Sequence, residues 1–119
     1  MDINIQGILD RGNDEERLVL RVLKDCNLCR YLVLDTTFDN KGNVTNKNRH
    51  VYAFSNVAVK KDDYVVLYTK VGNAVVQKNA DGTTSYFFYW NMQSHIWNNE
   101  QDIAYLVHYD EWDRFESKD

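Results

Sequence analysis

Apolar and polar positions alternate with a period of two along most of this chain, the spacing that puts successive side chains on opposite faces of a strand. In 17–23, RLVLRVL, Leu18, Leu20 and Val22 share one face and Val19, Arg21 and Leu23 the other. The β-branched residues predict a strand there; a helix is the alternative, because Leu and Arg favour it. Residues 64–70, YVVLYTK, form the clearest strand, with Val65, Leu67 and Thr69 on one side and Tyr64, Val66 and Tyr68 on the other. Further strands are expected at 3–9 (an edge), 31–38 (Leu32, Leu34, Thr36 and Phe38 on one side), 50–59 (interrupted near Ser55-Asn56), 74–77, 85–91 and 103–109. Residues 112–115 either extend the last strand or lay Trp112 and Phe115 on the core.

The punctuation between these runs comes mainly from Asn and Asp, since the chain has no Pro and only 5 Gly. Asn and Asp tolerate the left-handed region and bond their own backbone in turns. Polar loops are expected at 10–16 and 39–48, and turns at 24–30 and 60–63. Asp81-Gly82 ahead of a β-rich run predicts a hairpin. About seven or eight strands at this spacing indicate an all-β sandwich. No repeat or low-complexity segment appears.

At 119 residues the chain is expected to be one domain, 1–119, with an N-terminal strand and loop over 1–16 and a charged tail over 110–119. That length buries a core without disulfides or metal. A net charge of −4 argues against a general phosphate-binding surface, so duplex DNA is not expected as a partner. Lys41, Lys47 and Arg49, next to His50, form the one basic stretch; without interleaved aromatics it reads as a solvated loop. No apolar run is long enough to span a bilayer, and no basic segment followed by an apolar one marks a signal peptide. With two cysteines and no export signal a reducing cytoplasm is the expected location, although a trimmed exported parent would look the same.

Aromatic residues concentrate between Tyr86 and Tyr109, where two of the 3 Trp lie. In the run Tyr86–Trp90, Tyr86, Phe88 and Trp90 share one face and Phe87 and Tyr89 the other. One set is expected in the core; the other is either covered or exposed, and an exposed row stacks on sugars, bases or a partner. Tyr86, Phe88, Tyr89 and Trp90 are therefore the candidate binding residues. Cys26-x-x-Cys29 is the one motif of site chemistry. Zinc needs about four ligands, and His50, His95 and His108 are scattered with no second ligand pair. A redox pair would need a helix N-terminus, and the flanks here are strands. The two cysteines read as turn residues dispensable for folding, with metal or thiol chemistry as the minor alternative. No pair of carboxylates and no Ser/His/Asp order suggests catalysis, and no cofactor is expected.

The segment from Phe54 through Val59-Lys60-Lys61-Asp62-Asp63 into Tyr64–Thr69, then the aromatic strand ending at Trp90, then 96–106, IWNNEQDIAYL, resembles lamin tail domains, in particular their bacterial relatives. The likeness covers roughly residues 17 to 109, about one domain's length. It departs where the family has glycines: before the central strand stand Asp62 and Asp63, before the motif Asp stands Gln101, and none follows Asp110. The resemblance implies an immunoglobulin-like β-sandwich of mostly antiparallel strands, without enzyme activity, that binds and scaffolds through protein contacts. Trp97 would plug one end of the sandwich, Asp102 would cap the Asn-rich turn, and Ala104 and Leu106 would point inward with Tyr105 and Val107 opposite. A carbohydrate-binding module using exposed aromatics is the second expectation. A small thiol- or metal-dependent enzyme using Cys26 and Cys29 is the third.

Overall fold

The computed structural model describes residues 1–37, 41–43, 50–97 and 102–116. The expected polar loop at 39–48 (apart from 41–43), Arg49 and the Asn-rich turn at 98–101 lie outside these residues, and with that turn the capping role of Asp102. The described residues form an all-β fold with ten strands, a single 3-10 turn and no α-helix. In chain order the strands are β1 (Ile3–Leu9), β2 (Arg17–Val22), β3 (Cys26–Asn27), β4 (Tyr31–Thr37) and β5 (His50–Ala53). Then come β6 (Ala58–Val59), β7 (Tyr64–Tyr68), β8 (Val75–Lys78), β9 (Thr84–Tyr89) and β10 (Asp102–His108).

Five strands make a mixed sheet in the order β1-β2-β7-β9-β8, three make a second sheet, β10-β4-β5, and β3 pairs with β6. All ladders are antiparallel except β7 with β9, which run parallel. Period-two alternation decides the inner face. Leu18, Leu20 and Val22 of β2 and Val65 and Leu67 of β7 are fully buried, so 17–22 is a strand and not a helix. Across from them lie Tyr31 and Val33 of β4, with Ala104 and Leu106 of β10 packed against the same cluster. Phe54 meets Phe88 edge-on at 5.4 Å, and Tyr52 meets Trp90 at 5.7 Å, which joins the two larger sheets through their aromatic rings.

β1 is an edge strand whose register shifts between Ile5 and Gly7. A bulge of this kind twists an edge away from further pairing. The expected turn at 24–30 contains the short strand β3 and the 3-10 turn Leu28–Arg30, which Asn27 opens by accepting the Cys29 N–H. The turn at 60–63 is tied by Asp63, whose buried carboxylate accepts the N–H of Lys60 at 2.9 Å and of Thr84 at 3.0 Å. The β8–β9 hairpin closes with Asn79 N–H donating to Thr83 O and with Gly82 at φ 90. Trp112 and Phe115 neither extend β10 nor cover the core: they are 63% and 92% exposed. The physical reason lies at Tyr109 and Asp110. Tyr109 N–H donates to Arg30 O and its hydroxyl to Cys29 O, and Arg30 Nη1 donates to Asp110 O, so the chain is held at the 3-10 turn and leaves the sheet there.

Candidate interaction surfaces

The outer face of the three-stranded sheet is built by register. Tyr105 lies opposite Leu34 and Leu34 opposite Val51, giving one apolar row across all three strands. Val107, Leu32 and Ala53 form the next row, and Ile103 adds to the face at the far end of β10. Val51 is 55% exposed and Tyr105 38%. Antiparallel sheets with one wet face ordinarily alternate apolar-in with polar-out; here the outward positions of β4, β5 and β10 are as apolar as the inward ones. The inward set includes Asp35, whose buried carboxylate accepts the His50 N–H at 2.6 Å and faces His50 Nδ1 at 3.1 and 3.2 Å. This His–Asp pair brings together residues that sequence reasoning left apart. Among the described residues no Ser, Thr or Cys is hydrogen-bonded to the His50 ring.

The outer face of the five-stranded sheet has a different chemistry. Tyr68 stacks on Tyr89 at 5.1 Å with planes 9° apart and leans on Phe87 at 6.4 Å. Cations cover these rings: Arg17 and Lys70 over Tyr68 at 5.7 and 5.1 Å, and Arg21 over Tyr64 at 4.8 Å. Of the four candidate binding residues, Tyr89 alone lies on this face. Phe88 is in the core, and Tyr86 and Trp90 pack against it. Trp90 contacts the fully buried Trp97 at 5.8 Å. The alternation of the run was legible in the sequence; which set faces inward is decided by Tyr52 and Phe54 on the opposing sheet.

A cleft of about 820 Å³ lies under the β8–β9 hairpin, bounded by Cys26 of β3, Val59 of β6, the turn 60–63, and Lys78, Thr84 and Tyr86. Its carboxylates are engaged. Asp25 accepts the Lys61 N–H, Asp62 pairs with Arg21, Asp63 closes its turn, and Asp81 accepts both the N–H and the hydroxyl of Thr83. Those two bonds from Thr83 hold the Asp81 carboxyl below its usual range. Its three lysines, Lys60, Lys61 and Lys78, have no ion pair among the described residues.

Cys26 and Cys29 are free thiols, both half-buried. Burial raises the Cys26 thiol pKa, and the nearby Asp2 and Asp25 carboxylates raise it further. Such a thiol is a weaker nucleophile at neutral pH than an exposed one. No group of three His, Cys, Asp or Glu among the described residues is placed to hold a metal ion, and no helix is long and apolar enough to cross a membrane. No family model, curated protein or solved structure matches the chain.

Proposed function

We propose that this chain is a non-enzymatic interaction module of the lamin tail type, an immunoglobulin-like β-sandwich that meets a protein partner through the outer face of its three-stranded sheet. The observation that carries the reading is the uncharged face of Tyr105, Leu34, Val51, Val107, Leu32 and Ala53. A contiguous exposed apolar patch is a mark of protein contact. Two further features support the family assignment. Of Asp62 and Asp63, the two residues that stand where the resemblance expects the turn glycine, Asp62 sits at φ 75, the region that favours glycine. Trp97 is fully buried, as the resemblance implies for a core plug. The two free thiols fit a reducing cytoplasm.

The size of the face sets an expectation for strength. Three strands about 4.8 Å apart, with β4 and β10 seven residues long and β5 four, cover at most roughly 14 by 23 Å. That is small against the roughly 800 Å² per partner of a stable interface, so the contact is exchangeable rather than obligate. The carbohydrate reading has less support, because the outward rings Tyr64, Tyr68 and Tyr89 of the five-stranded sheet already carry cations or one another on their faces. The test is Val51→Glu, a charge added at an exposed position of the patch, compared with Val71→Glu, which is exposed elsewhere. Val51→Glu is expected to melt like the parent but to lose proteins that parent and Val71→Glu both retain from source cells. Equal retention by all three chains would contradict the proposal.

A further inference from the structure

The hairpin bonding pattern leaves one edge of the five-stranded sheet open in a defined way. Asn79 N–H donates to Thr83 O, so Asn79 and Thr83 are a hydrogen-bonded pair. Such pairs alternate along an antiparallel ladder, which makes Gln77 with Ser85 and Val75 with Phe87 the next two, given the register. The amides and carbonyls of Val76 and Lys78 therefore point away from β9. β8 is the last strand of the sheet, and all four of its residues are exposed. Val75 is 51% exposed and Val76 62%, one on each face. Open, apolar edge strands are templates for another strand.

The same chain holds an unpartnered segment of complementary chemistry. Residues 111–116, EWDRFE, follow β10 as an exposed stretch without secondary structure. They carry three acids and one arginine, whose partner is Glu116 of the same stretch. Trp112 and Phe115 are three positions apart, which puts them on opposite faces of a strand. We propose that 111–116 of a second copy adds to β8 as an antiparallel strand, and that two copies exchange these segments in a closed, two-fold pair. The open amides restrict the register: the residues opposite Val76 and Lys78 must be hydrogen-bonded partners two apart. With Phe115 opposite Val76, Asp113 falls opposite Lys78. The apolar pair and the ion pair then share the cleft face of the sheet, beside Lys60, Lys61 and Tyr86. Asp113 is available for this, since among the described residues its carboxylate accepts only the N–H of its neighbour Arg114. Trp112 turns to the outer face opposite Asn79, with Arg114 opposite Gln77. This contact uses a surface separate from the three-stranded sheet and stands or falls independently of it.

Sedimentation velocity on the full chain over a concentration series tests the exchange. The parent is expected to shift from one to two chain masses as concentration rises. Lys78→Glu and Asp113→Lys are each expected to weaken the pair at least tenfold, and the double variant Lys78→Glu/Asp113→Lys to restore it. Circular dichroism melts of all four proteins check the fold, which exposed substitutions leave intact. A parent that stays monomeric at every concentration overturns the proposal, including the case of a segment docked on its own chain. A dimer that ignores both charge reversals, or a double variant no better than the singles, overturns it as well.

Discussion

At the scale of single residues, Glu16 ties together parts of the chain that are 80 positions apart. It is fully buried, and its carboxylate accepts the N–H of Gly12 at 2.9 Å, of Ile96 at 3.0 Å and of Trp97 at 3.3 Å. Its own carbonyl accepts Thr69 N–H. Truncation strands three donors, and each buried orphan costs about 1–3 kcal/mol. Glu16→Ala is therefore expected to destabilise the protein by about 3–5 kcal/mol, comparable with Trp97→Ala, which removes a fully buried indole at a typical cost of about 3–5 kcal/mol. Trp112→Ala, at an exposed position, should stay within about 0.5 kcal/mol. Urea melts read all three; a Glu16→Ala midpoint equal to that of Trp112→Ala would contradict this account of the carboxylate. Trp97 was legible in the sequence, because a large apolar residue between strands has few places to go but the core. Glu16 was not. In the acidic run 10–16 a charge reads as solvated, and its partners come from a segment that the sequence leaves far away.

At the scale of elements, the strands with strict alternation were legible, and their bounds follow the pattern closely. β1 is an edge, as expected, β2 and β7 are strands whose side chains divide between two faces as their alternation indicates, and the break near Ser55-Asn56 separates β5 from β6. The β3–β6 ladder was missed because two residues carry no periodicity. The parallel pairing of β7 with β9 was missed because strand order is set by long-range packing, not by local pattern. That pairing puts Tyr89 beside Tyr68, and Gly72 fits against the Tyr89 ring: a Cβ there would lie 2.5 Å from ring carbon Cδ1. Gly72→Ala is expected to destabilise by about 1–3 kcal/mol as the stacked ring is pushed away. Gly7→Ala, in β1 with nothing near its Cβ site, is expected to stabilise by about 0.4–1 kcal/mol through the unfolded chain. Thermal melts of the two variants check this; a Gly72→Ala protein as stable as the parent would mean that the loop does not press on Tyr89.

At the scale of the whole molecule, the two larger sheets meet across one core of aliphatic and aromatic side chains, and their outer faces divide by chemistry. One carries tyrosines capped by Arg17, Arg21 and Lys70. The other carries rows of uncharged side chains through Leu34 and Leu32. This division was only half legible. The sequence placed Leu32, Leu34 and Thr36 together, but a strand apolar on both sides does not reveal which side is the core. The answer comes from Asp35 and Val33, buried beneath the sheet. The central claim, that a protein partner meets the apolar face, is tested most directly by site-specific photocrosslinking in source cells. A photoreactive phenylalanine derivative is placed at Tyr105 in one chain and at Tyr64, on the opposite outer face, in another. Discrete protein adducts from position 105 and none from position 64 are the predicted result; adducts from position 64 with none from 105 would contradict it.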